Sequence, residues 1–189
     1  MCSTKSSQRR GRRAAGYYYR VRHDPQRSVL FVCMGNICRS PTAEGVFRAA
    51  LAQVGLDPHI RTDSAGLGDW HVGQAPDRRA IQAANRRGYD LTKLRARQVT
   101  VEDFDRFGWI LAMDLTNLEA LQLLQPASYT GHLGLLLDLA PHAGVREVPD
   151  PYYGGTDGFE RVLDLIEIAS AELVDRIGRG LDPSQERQK

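Results

Sequence analysis

A cysteine and an arginine stand six positions apart in a turn-forming stretch that reads Cys33-Met34-Gly35-Asn36-Ile37-Cys38-Arg39-Ser40. An ionised thiol is a strong nucleophile, and a guanidinium can bind two oxygens of one phosphoryl group. Gly35 and Asn36 tolerate left-handed backbone conformations, which turn successive N–H groups towards one point. The hydroxyl of Ser40 can donate a hydrogen bond to the sulfur. The pattern therefore predicts nucleophilic attack by Cys33 on an oxyanion that Arg39 and the loop amides hold.

The residues on either side of this stretch predict the elements that position it. Residues 29–32 form a continuous apolar, β-rich run, typical of a strand buried on both faces. Pro41 suits the first turn of a helix, and Gly55 suits its C-terminal end. The apolar stripe of that helix comprises Val46, Phe47, Ala50, Leu51 and Val54. The loop thus joins the carboxyl end of a strand to a helix N-terminus, where α/β sheets bind anions. The Gly-x-x-x-x-Gly-Lys pattern of nucleotide-binding loops is absent.

The rest of the chain alternates between strand-like and helix-like segments. Strands are predicted at residues 59–64 and 109–113, helices at 76–87 and 114–124, a short helical turn at 101–104, and residues 133–139 fit either state. A final helix, capped by Asp157, carries an apolar stripe made of Phe159, Val162, Leu163, Ile166, Ala169 and Leu173. Strands that alternate with helices indicate an α/β fold with a parallel sheet.

Composition limits the classes of protein to which the chain can belong. It has 189 residues, of which 42% are hydrophobic and 25% charged, so one globular domain is expected and wholesale disorder is excluded. The longest apolar runs are too short to span a bilayer, which takes about 20 residues. Three cysteines do not make the disulfide framework of a secreted protein, and the basic N-terminus lacks the apolar segment of a signal peptide. A cytoplasmic location is therefore expected.

Charge is distributed unevenly along the chain. Residues 1–28 contain eight Lys or Arg and one Asp, whereas the whole chain has a formal net charge of only +2. We expect a basic, disordered leader at residues 1–27, a domain at 28–180 and a flexible tail at 181–189. Such a leader could contact nucleic acid or an anionic membrane surface, whereas the domain itself is expected to bind no nucleic acid.

The histidines give no sign of a metal site. They stand at positions 23, 59, 71, 132 and 142, with no pair spaced four residues apart and no cysteine partner in a ligand pattern. We therefore expect neither a metal nor a cofactor.

A second motif, Asp150-Pro151-Tyr152-Tyr153-Gly154-Gly155, lies near the other end of the domain. Together with the stretch from Val32 to Glu44, it resembles the signature of the low-molecular-weight protein tyrosine phosphatases. The resemblance extends over residues 28–179 and includes Asp63-Ser64-Ala65-Gly66, Ala96-Arg97-Gln98 and Met113-Asp114. Both motifs are highly specific, and they lie at opposite ends of the domain, as in the family.

The resemblance implies a fold, a reaction and a set of site residues. The fold is a three-layer α/β domain whose four-stranded parallel sheet, in the order 2-1-3-4, has helices on both faces. The reaction is hydrolysis of phosphotyrosine, in which Cys33 attacks phosphorus to give a cysteinyl-phosphate and water then releases phosphate. Asp150 matches the general acid, which protonates the leaving phenolate and then activates the water. Phosphate contacts are implied for Arg39 and for the loop residues Met34, Gly35, Asn36, Ile37, Cys38 and Ser40.

Aromatic residues near the acid bear on the substrate. In the resembling family, aromatic residues at the positions of Trp70, Tyr152 and Tyr153 form the walls of a deep slot. The slot admits a flat phosphoaryl group, whereas phosphoserine is too short to reach the nucleophile at its base. Ile37 also favours phosphotyrosine, since the family's arginine phosphatases tend to carry Thr there. The implied partner is a phosphotyrosine-bearing protein, such as a bacterial tyrosine kinase. The enzyme itself is expected to be a monomer or a weak dimer.

Two other functions stay open. A non-catalytic phosphate- or phosphotyrosine-binding module would have a damaged nucleophile or acid, and both Cys33 and Asp150 are present. Arsenate reductases share the loop but need a further pair of cysteines, and none follows Cys38.

Two residues leave questions about the loop itself. Cys38 could capture oxidised Cys33 as a reversible disulfide, or it could merely fill the loop as a small residue. Many relatives carry His where this chain has Leu94, and that His bonds to the loop asparagine. We therefore expect the network that holds Asn36 to rest on Ser64 and Ser40 alone.

Overall fold

One parallel sheet organises the fold of residues 27–180, which are the residues that the computed structural model describes. Its strands follow the order β2-β1-β3-β4. They are β1 (Ser28–Cys33), β2 (Arg61–Gly66), β3 (Trp109–Ala112) and β4 (His132–Leu135). The predicted four-stranded parallel sheet and its strand order are confirmed. The predicted leader at residues 1–27, apart from residue 27 itself, and the predicted tail at 181–189 lie outside the described residues.

Five helices connect and flank the strands within residues 27–180. They are α1 (Arg39–Gln53), α2 (Arg78–Arg86), α3 (Asp103–Arg106), α4 (Leu115–Leu124) and α5 (Thr156–Gly178), with short 3-10 turns at Leu136–Leu139 and Pro141–Ala143. None of these helices is both long enough and apolar enough to cross a bilayer.

The central strand β1 explains the three layers. Its side chains alternate between the two faces of the sheet. Val29 and Phe31 enter a core that α1 and α5 cover, whereas Leu30 and Val32 enter a second core with residues of α3 and α4. All six residues of β1 are buried. A strand buried on both faces favours a continuous apolar run, and residues 29–32 provide it.

Several predicted boundaries are corrected by the structure. Strand β2 begins at Arg61 rather than at residue 59. The ambiguous segment 133–139 is divided, because β4 ends at Leu135 and a 3-10 turn follows. Val54 is exposed, since α1 ends at Gln53, and the left-handed Gly55 (φ 71°) then turns the chain away.

The start of α5 also differs from the prediction. Its N-cap is Gly155, so Asp157 lies inside the first turn, where a carboxylate still favours the positive end of the helix dipole. The predicted apolar stripe of this helix is buried at every position. It packs against α1, which places both helices on the same face of the sheet.

Candidate active site

The loop between β1 and α1 curls around the sulfur of Cys33. Asn36 adopts a left-handed conformation (φ 54°), unlike any other non-glycine residue within 27–180. This turn brings the Asn36 N–H to 3.3 Å from Cys33 Sγ, and Ser40 Oγ lies 3.0 Å from the same sulfur. The Ser40 hydroxyl hydrogen can point either to the sulfur or to the carbonyl of Ala65, 3.1 Å away. A thiolate would attract it more strongly, because charged acceptors form stronger hydrogen bonds.

Side-chain hydrogen bonds hold Asn36 in this conformation. Its amide nitrogen donates to Ser40 Oγ and to Ser64 Oγ, both at 2.9 Å. Its amide oxygen accepts the backbone N–H of Arg97 at 2.9 Å. The expectation that this network rests on the two serines alone is therefore wrong. The third bond comes from a backbone group, which any residue type at position 97 except proline would supply, so side-chain patterns could not reveal it.

A buried carboxylate completes the network behind the loop. Ser64 Oγ donates to Glu44 Oε2 at 2.6 Å, and Glu44 also pairs with Arg48 at 2.8 Å. Burial raises the pKa of the Glu44 carboxyl above its ordinary value, while the hydrogen bond from Ser64 opposes that shift. Because α1 carries both Ser40 and Glu44, the helix that follows the loop also orients it.

The end of β2 supports the loop from the other side. A side chain at Gly66 would lie within about 3 Å of the backbone of Met34, Gly35 and Asn36, so only glycine lets the two segments approach so closely. Beyond it, the N–H groups of Leu67 and Gly68 donate to the carbonyls of Cys33 and Met34 at 3.0 and 2.9 Å. Ser64, Ala65 and Gly66 thus contact the loop or Ser40 directly after it, whereas Asp63 pairs with Arg97.

Arg39 is 3% exposed and is held from three directions. Its guanidinium donates to Asp114 Oδ2 at 2.5 Å, to the carbonyl of Val148 at 3.2 Å and to Asp150 Oδ2 at 3.1 Å. Asp114 lies two positions after the end of β3 and caps α4, with its other oxygen accepting the N–H of Asn117 at 2.7 Å. Asp114 was not among the predicted site residues. Its place after a buried strand, at the same sheet edge as the loop, is the signal that could have found it.

A cavity of about 330 Å³ opens above Cys33 at this edge of the sheet. All of the predicted site residues line it except Asn36 and Ser40, which are buried behind the loop. The cavity therefore combines the Cys33 sulfur, the Arg39 guanidinium and the Asp150 carboxyl. Asp150 Oδ1 also accepts the N–H of Tyr152 at 3.1 Å, which fixes the carboxyl relative to its own loop.

Aromatic residues form the rim of the cavity. Trp70 is 66% exposed, and its ring covers the place where a side chain at Gly68 would lie. Tyr152 and Tyr153 pack edge to face, with ring centroids 5.0 Å apart, on the side of Asp150. Tyr153 is 95% exposed, so it contributes the outermost part of the rim. Three aromatic side chains therefore line the opening of the cavity.

His71 lines the cavity as well, although it was not among the predicted site residues. Its ring lies over the loop between β1 and α1, because a Cβ at Gly35 would be 3.1 Å from His71 Cδ2. Its Nδ1 is 2.9 Å from Gln74 Oε1, which fixes the orientation of the ring. Because His71 follows Trp70 in the chain, its place beside a predicted site residue could have indicated that it lines the cavity.

Cys38 is buried at the floor of the cavity, and its thiol differs from an ordinary one. Burial, together with the nearby charges of Asp77 and Cys33, raises the pKa of Cys38 to about 12. At neutral pH this side chain is therefore an uncharged thiol. No cluster of three His, Cys, Asp or Glu side chains that could hold a metal ion occurs among the described residues.

Comparison with known proteins agrees with this geometry. Residues 28–182 match the family model described as low molecular weight phosphotyrosine protein phosphatase. The low-molecular-weight protein-tyrosine-phosphatase YfkJ of Bacillus subtilis is 43% identical over 150 residues, which are 79% of this chain and 95% of YfkJ. Its crystal structure has a TM-score of 0.76 and covers 82% of this chain and 96% of its own.

A protein tyrosine phosphatase of Entamoeba histolytica, crystallised with Hepes in its active site, is also similar. It has a TM-score of 0.77 and 38% identity, and the match covers 81% of this chain and 97% of that chain. The family model spans most of the chain, and the relatives align over nearly their full length. The chain therefore belongs to the low-molecular-weight phosphotyrosine protein phosphatases.

Proposed function

We propose that this cavity hydrolyses phosphotyrosine and small aryl phosphates, with Cys33 as nucleophile, Arg39 as phosphate ligand and Asp150 as general acid. The observation that carries the proposal is the convergence of these three side chains on one cavity. Their positions in the chain are as far apart as 33 and 150, and only the fold brings them together. A binding module would need the arginine but neither the nucleophile nor the acid.

The first step forms a phosphoenzyme. The Cys33 thiolate attacks phosphorus, a P–S bond forms, and the P–O bond to the tyrosine ring breaks. The proton of the Asp150 carboxyl passes to the phenolate oxygen, so tyrosine leaves as a neutral phenol. Arg39 and the loop N–H groups hold the equatorial oxygens, where charge is concentrated in the transition state.

The second step restores the enzyme. Water attacks phosphorus, the Asp150 carboxylate accepts a proton from it, and the P–S bond breaks. The Asn36 N–H and the Ser40 hydroxyl stabilise the departing thiolate, since both already lie within hydrogen-bond distance of Cys33 Sγ. Inorganic phosphate is the product.

The rim selects an aryl ester over a shorter alkyl ester. Trp70 and Tyr152 present ring faces to a flat substrate, and each stacked aromatic pair contributes on the order of 1 kcal/mol. Ile37 adds an apolar contact inside the cavity. A phosphoserine lacks the length and the flat surface to use these contacts.

The decisive assay is hydrolysis of p-nitrophenyl phosphate at mildly acidic pH. We expect Cys33→Ser to abolish activity and Asp150→Asn to lower kcat/KM by about 10²-fold or more, as is usual for general acids. Asp138→Asn, which removes a surface ion pair with Arg146, is the matched control. Unchanged activity in both site variants would refute the mechanism. Phosphotyrosine, phosphoserine and phosphoarginine peptides, tested in parallel, define the substrate class.

The wider setting is also part of the proposal. The substrate is a phosphotyrosine-bearing protein, for which a bacterial tyrosine kinase is the working candidate, and the enzyme acts in the cytoplasm as a monomer or weak dimer. Residues 28–180 carry the activity, so removal of residues 1–27 is expected to leave kcat/KM for p-nitrophenyl phosphate unchanged. Sedimentation equilibrium measures the oligomeric state, and a stable dimer at micromolar concentration would contradict this part.

A further inference from the structure

We infer that Arg79 is a positioning residue for the general acid, and that it holds the loop carrying Asp150 against the phosphate-binding loop. This inference rests on the proposed function. Arg79 lies in the first turn of α2, and its side chain reaches two segments that meet at the cavity. It does not itself line the cavity. Its effect on the reaction must therefore pass through other residues.

On one side, Arg79 is bound to the phosphate-binding loop through Asp77. Its Nε and Nη2 donate to the two oxygens of Asp77 at 3.0 and 2.8 Å, and its backbone N–H donates to the same carboxylate at 2.7 Å. The backbone N–H of Asp77 donates in turn to the carbonyl of Ile37 at 2.7 Å. The hydrogen bond from Arg79 lowers the pKa of the Asp77 carboxyl, so this carboxylate stays charged.

On the other side, Arg79 holds the loop after Val148. Its Nη1 donates to the carbonyl of Tyr152 at 3.1 Å. The guanidinium also lies over two aromatic rings, 5.5 Å from the ring centre of Tyr152 and 4.9 Å from that of Phe159. Phe159 belongs to the first turn of α5 and is buried in the core, so it is a fixed support. A planar guanidinium can make the two-oxygen contact, the carbonyl contact and the ring contacts at once, which an ammonium cannot.

The same residue that Arg79 holds also orients the acid. The N–H of Tyr152 donates to Asp150 Oδ1 at 3.1 Å, while the carbonyl of Tyr152 accepts from Arg79. Hydrogen bonds therefore run from the phosphate-binding loop through Asp77, Arg79 and Tyr152 to Asp150. Without Arg79, the carbonyl of Tyr152 loses its donor, and the Asp150 carboxyl can drift from the leaving oxygen. Proton transfer depends steeply on such distances.

General attachment of α2 to α5 does not depend on Arg79. Arg86 and Arg87, further along α2, pair with Glu160 of α5 at 2.6 and 2.8 Å. Arg87 also pairs with Glu167 at 3.0 Å. These contacts lie away from the acid loop, so Arg86 offers a matched control on the same helix. Its loss removes an exposed ion pair and leaves the contacts of Arg79 in place.

The test compares two leaving groups. Phenyl phosphate needs its leaving oxygen protonated far more than p-nitrophenyl phosphate does, because phenol is the weaker acid. We expect Arg79→Gln to lower kcat/KM about tenfold for phenyl phosphate and only about twofold for p-nitrophenyl phosphate, a fraction of the full contribution of a general acid. Arg79→Lys should recover part of the loss, and Arg86→Gln should leave both values unchanged.

A double variant separates positioning from general damage. The substrate for this comparison is phenyl phosphate. If Arg79 acts through Asp150, adding Arg79→Gln to Asp150→Asn should change kcat/KM for phenyl phosphate by less than about twofold. Equal losses on the two substrates, or a full further loss in the Asp150→Asn background, would overturn the inference. Thermal unfolding checks that each variant folds. If Arg79→Gln does not fold, the losses of kcat/KM on the two substrates are compared for Arg79→Lys instead. Full activity of Cys33→Ser and Asp150→Asn would instead refute the proposed function.

Discussion

At the scale of single residues, the site depends on how buried charges are paired. Arg39 is almost fully buried, and a guanidinium removed from water is stable only with acceptors around it. Asp114 provides the shortest of these contacts and is itself fixed as the N-cap of α4. Arg39 is thereby oriented before any phosphate binds, so little ordering is left to be done in the transition state.

We expect Asp114→Asn to lower kcat/KM for p-nitrophenyl phosphate about tenfold or more, because Arg39 loses its charged anchor. Asparagine is as good an N-cap as aspartate, so α4 should be retained. Steady-state kinetics and the inhibition constant for inorganic phosphate measure the effect. Glu119→Gln, an exposed change on the same helix, is the control. Equal activity of Asp114→Asn and wild type would show that Arg39 needs no such anchor.

The two loop cysteines should react differently. Cys33 is the proposed nucleophile, with the Asn36 N–H and the Ser40 hydroxyl within hydrogen-bond distance of its sulfur, whereas burial raises the pKa of Cys38 to about 12. Iodoacetate reacts with thiolates, so we expect it to label Cys33 and not Cys38 at neutral pH, with phosphate protecting Cys33. Mass analysis of the peptides locates the label. Equal labelling of both cysteines would contradict the assigned difference.

The disulfide hypothesis for Cys38 has a separate test. If Cys38 traps oxidised Cys33, wild type treated with peroxide and then with thiol should regain activity, and Cys38→Ser should regain much less. If Cys38 only fills the loop, the two proteins should recover equally. A thiol that is uncharged at neutral pH reacts slowly, so recovery should improve when peroxide is added at higher pH.

At the scale of elements, the left-handed turn at Asn36 connects β1, α1 and β2. Its side chain bonds to Ser40 at the start of α1, to Ser64 in β2 and to the N–H of Arg97. The turn needs both a residue that tolerates positive φ and an amide that can donate and accept. Asparagine satisfies both requirements, which explains why it occupies the strained position.

Two variants at this position separate the requirements. Asn36→Gly removes the side-chain bonds and keeps the left-handed conformation available, whereas Asn36→Ala removes both. We expect Asn36→Ala to be less stable than Asn36→Gly by about 1 kcal/mol, the cost of a left-handed non-glycine residue. Denaturant unfolding measures the difference, and both variants should lose activity. Equal stability would mean that the loop changes conformation in the alanine variant.

At the scale of the whole molecule, a buried ionisable group couples stability to pH. Burial raises the pKa of Glu44 in the folded state, so folding favours its protonated form. A raised pKa stabilises the folded protein below the ordinary pKa, and that contribution is lost as pH rises through the folded value. Glu44 also bonds to Ser64, which contacts the phosphate-binding loop through Asn36. The Glu44 carboxyl therefore affects both the stability of the fold and the geometry of the loop.

Glu44→Gln removes this ionisation. We expect the stability of the variant relative to wild type to rise as the pH increases above the ordinary pKa of glutamate, because only the wild type must ionise a buried carboxyl. Thermal unfolding of both proteins at a series of pH values measures this difference in stability. The contributions of the other ionisable groups are the same in both proteins and cancel. Glu119→Gln serves as the exposed control. A difference that falls with pH would contradict the raised pKa.

Local sequence was sufficient for much of the fold and for the centre of the site. The apolar run of β1, the turn residues Gly35 and Asn36, and the proline of α1 are contiguous, so their order alone predicts strand, loop and helix. The family and the sheet order are confirmed. Boundaries were less certain, as at Val54 and Asp157, because one residue more or less of helix changes little in an apolar pattern.

Local order in the chain was enough to identify the nucleophile, the arginine and the loop that holds them, since these lie within one short segment. The distant groups that complete the site become visible only once the chain is folded. The N–H of Arg97, the carboxylate of Asp114 and the guanidinium of Arg79 come from three separate segments. They meet because the carboxyl ends of parallel strands and the loops that follow them share one edge of the sheet. Contacts of this kind depend on packing in three dimensions, and no local periodicity encodes them.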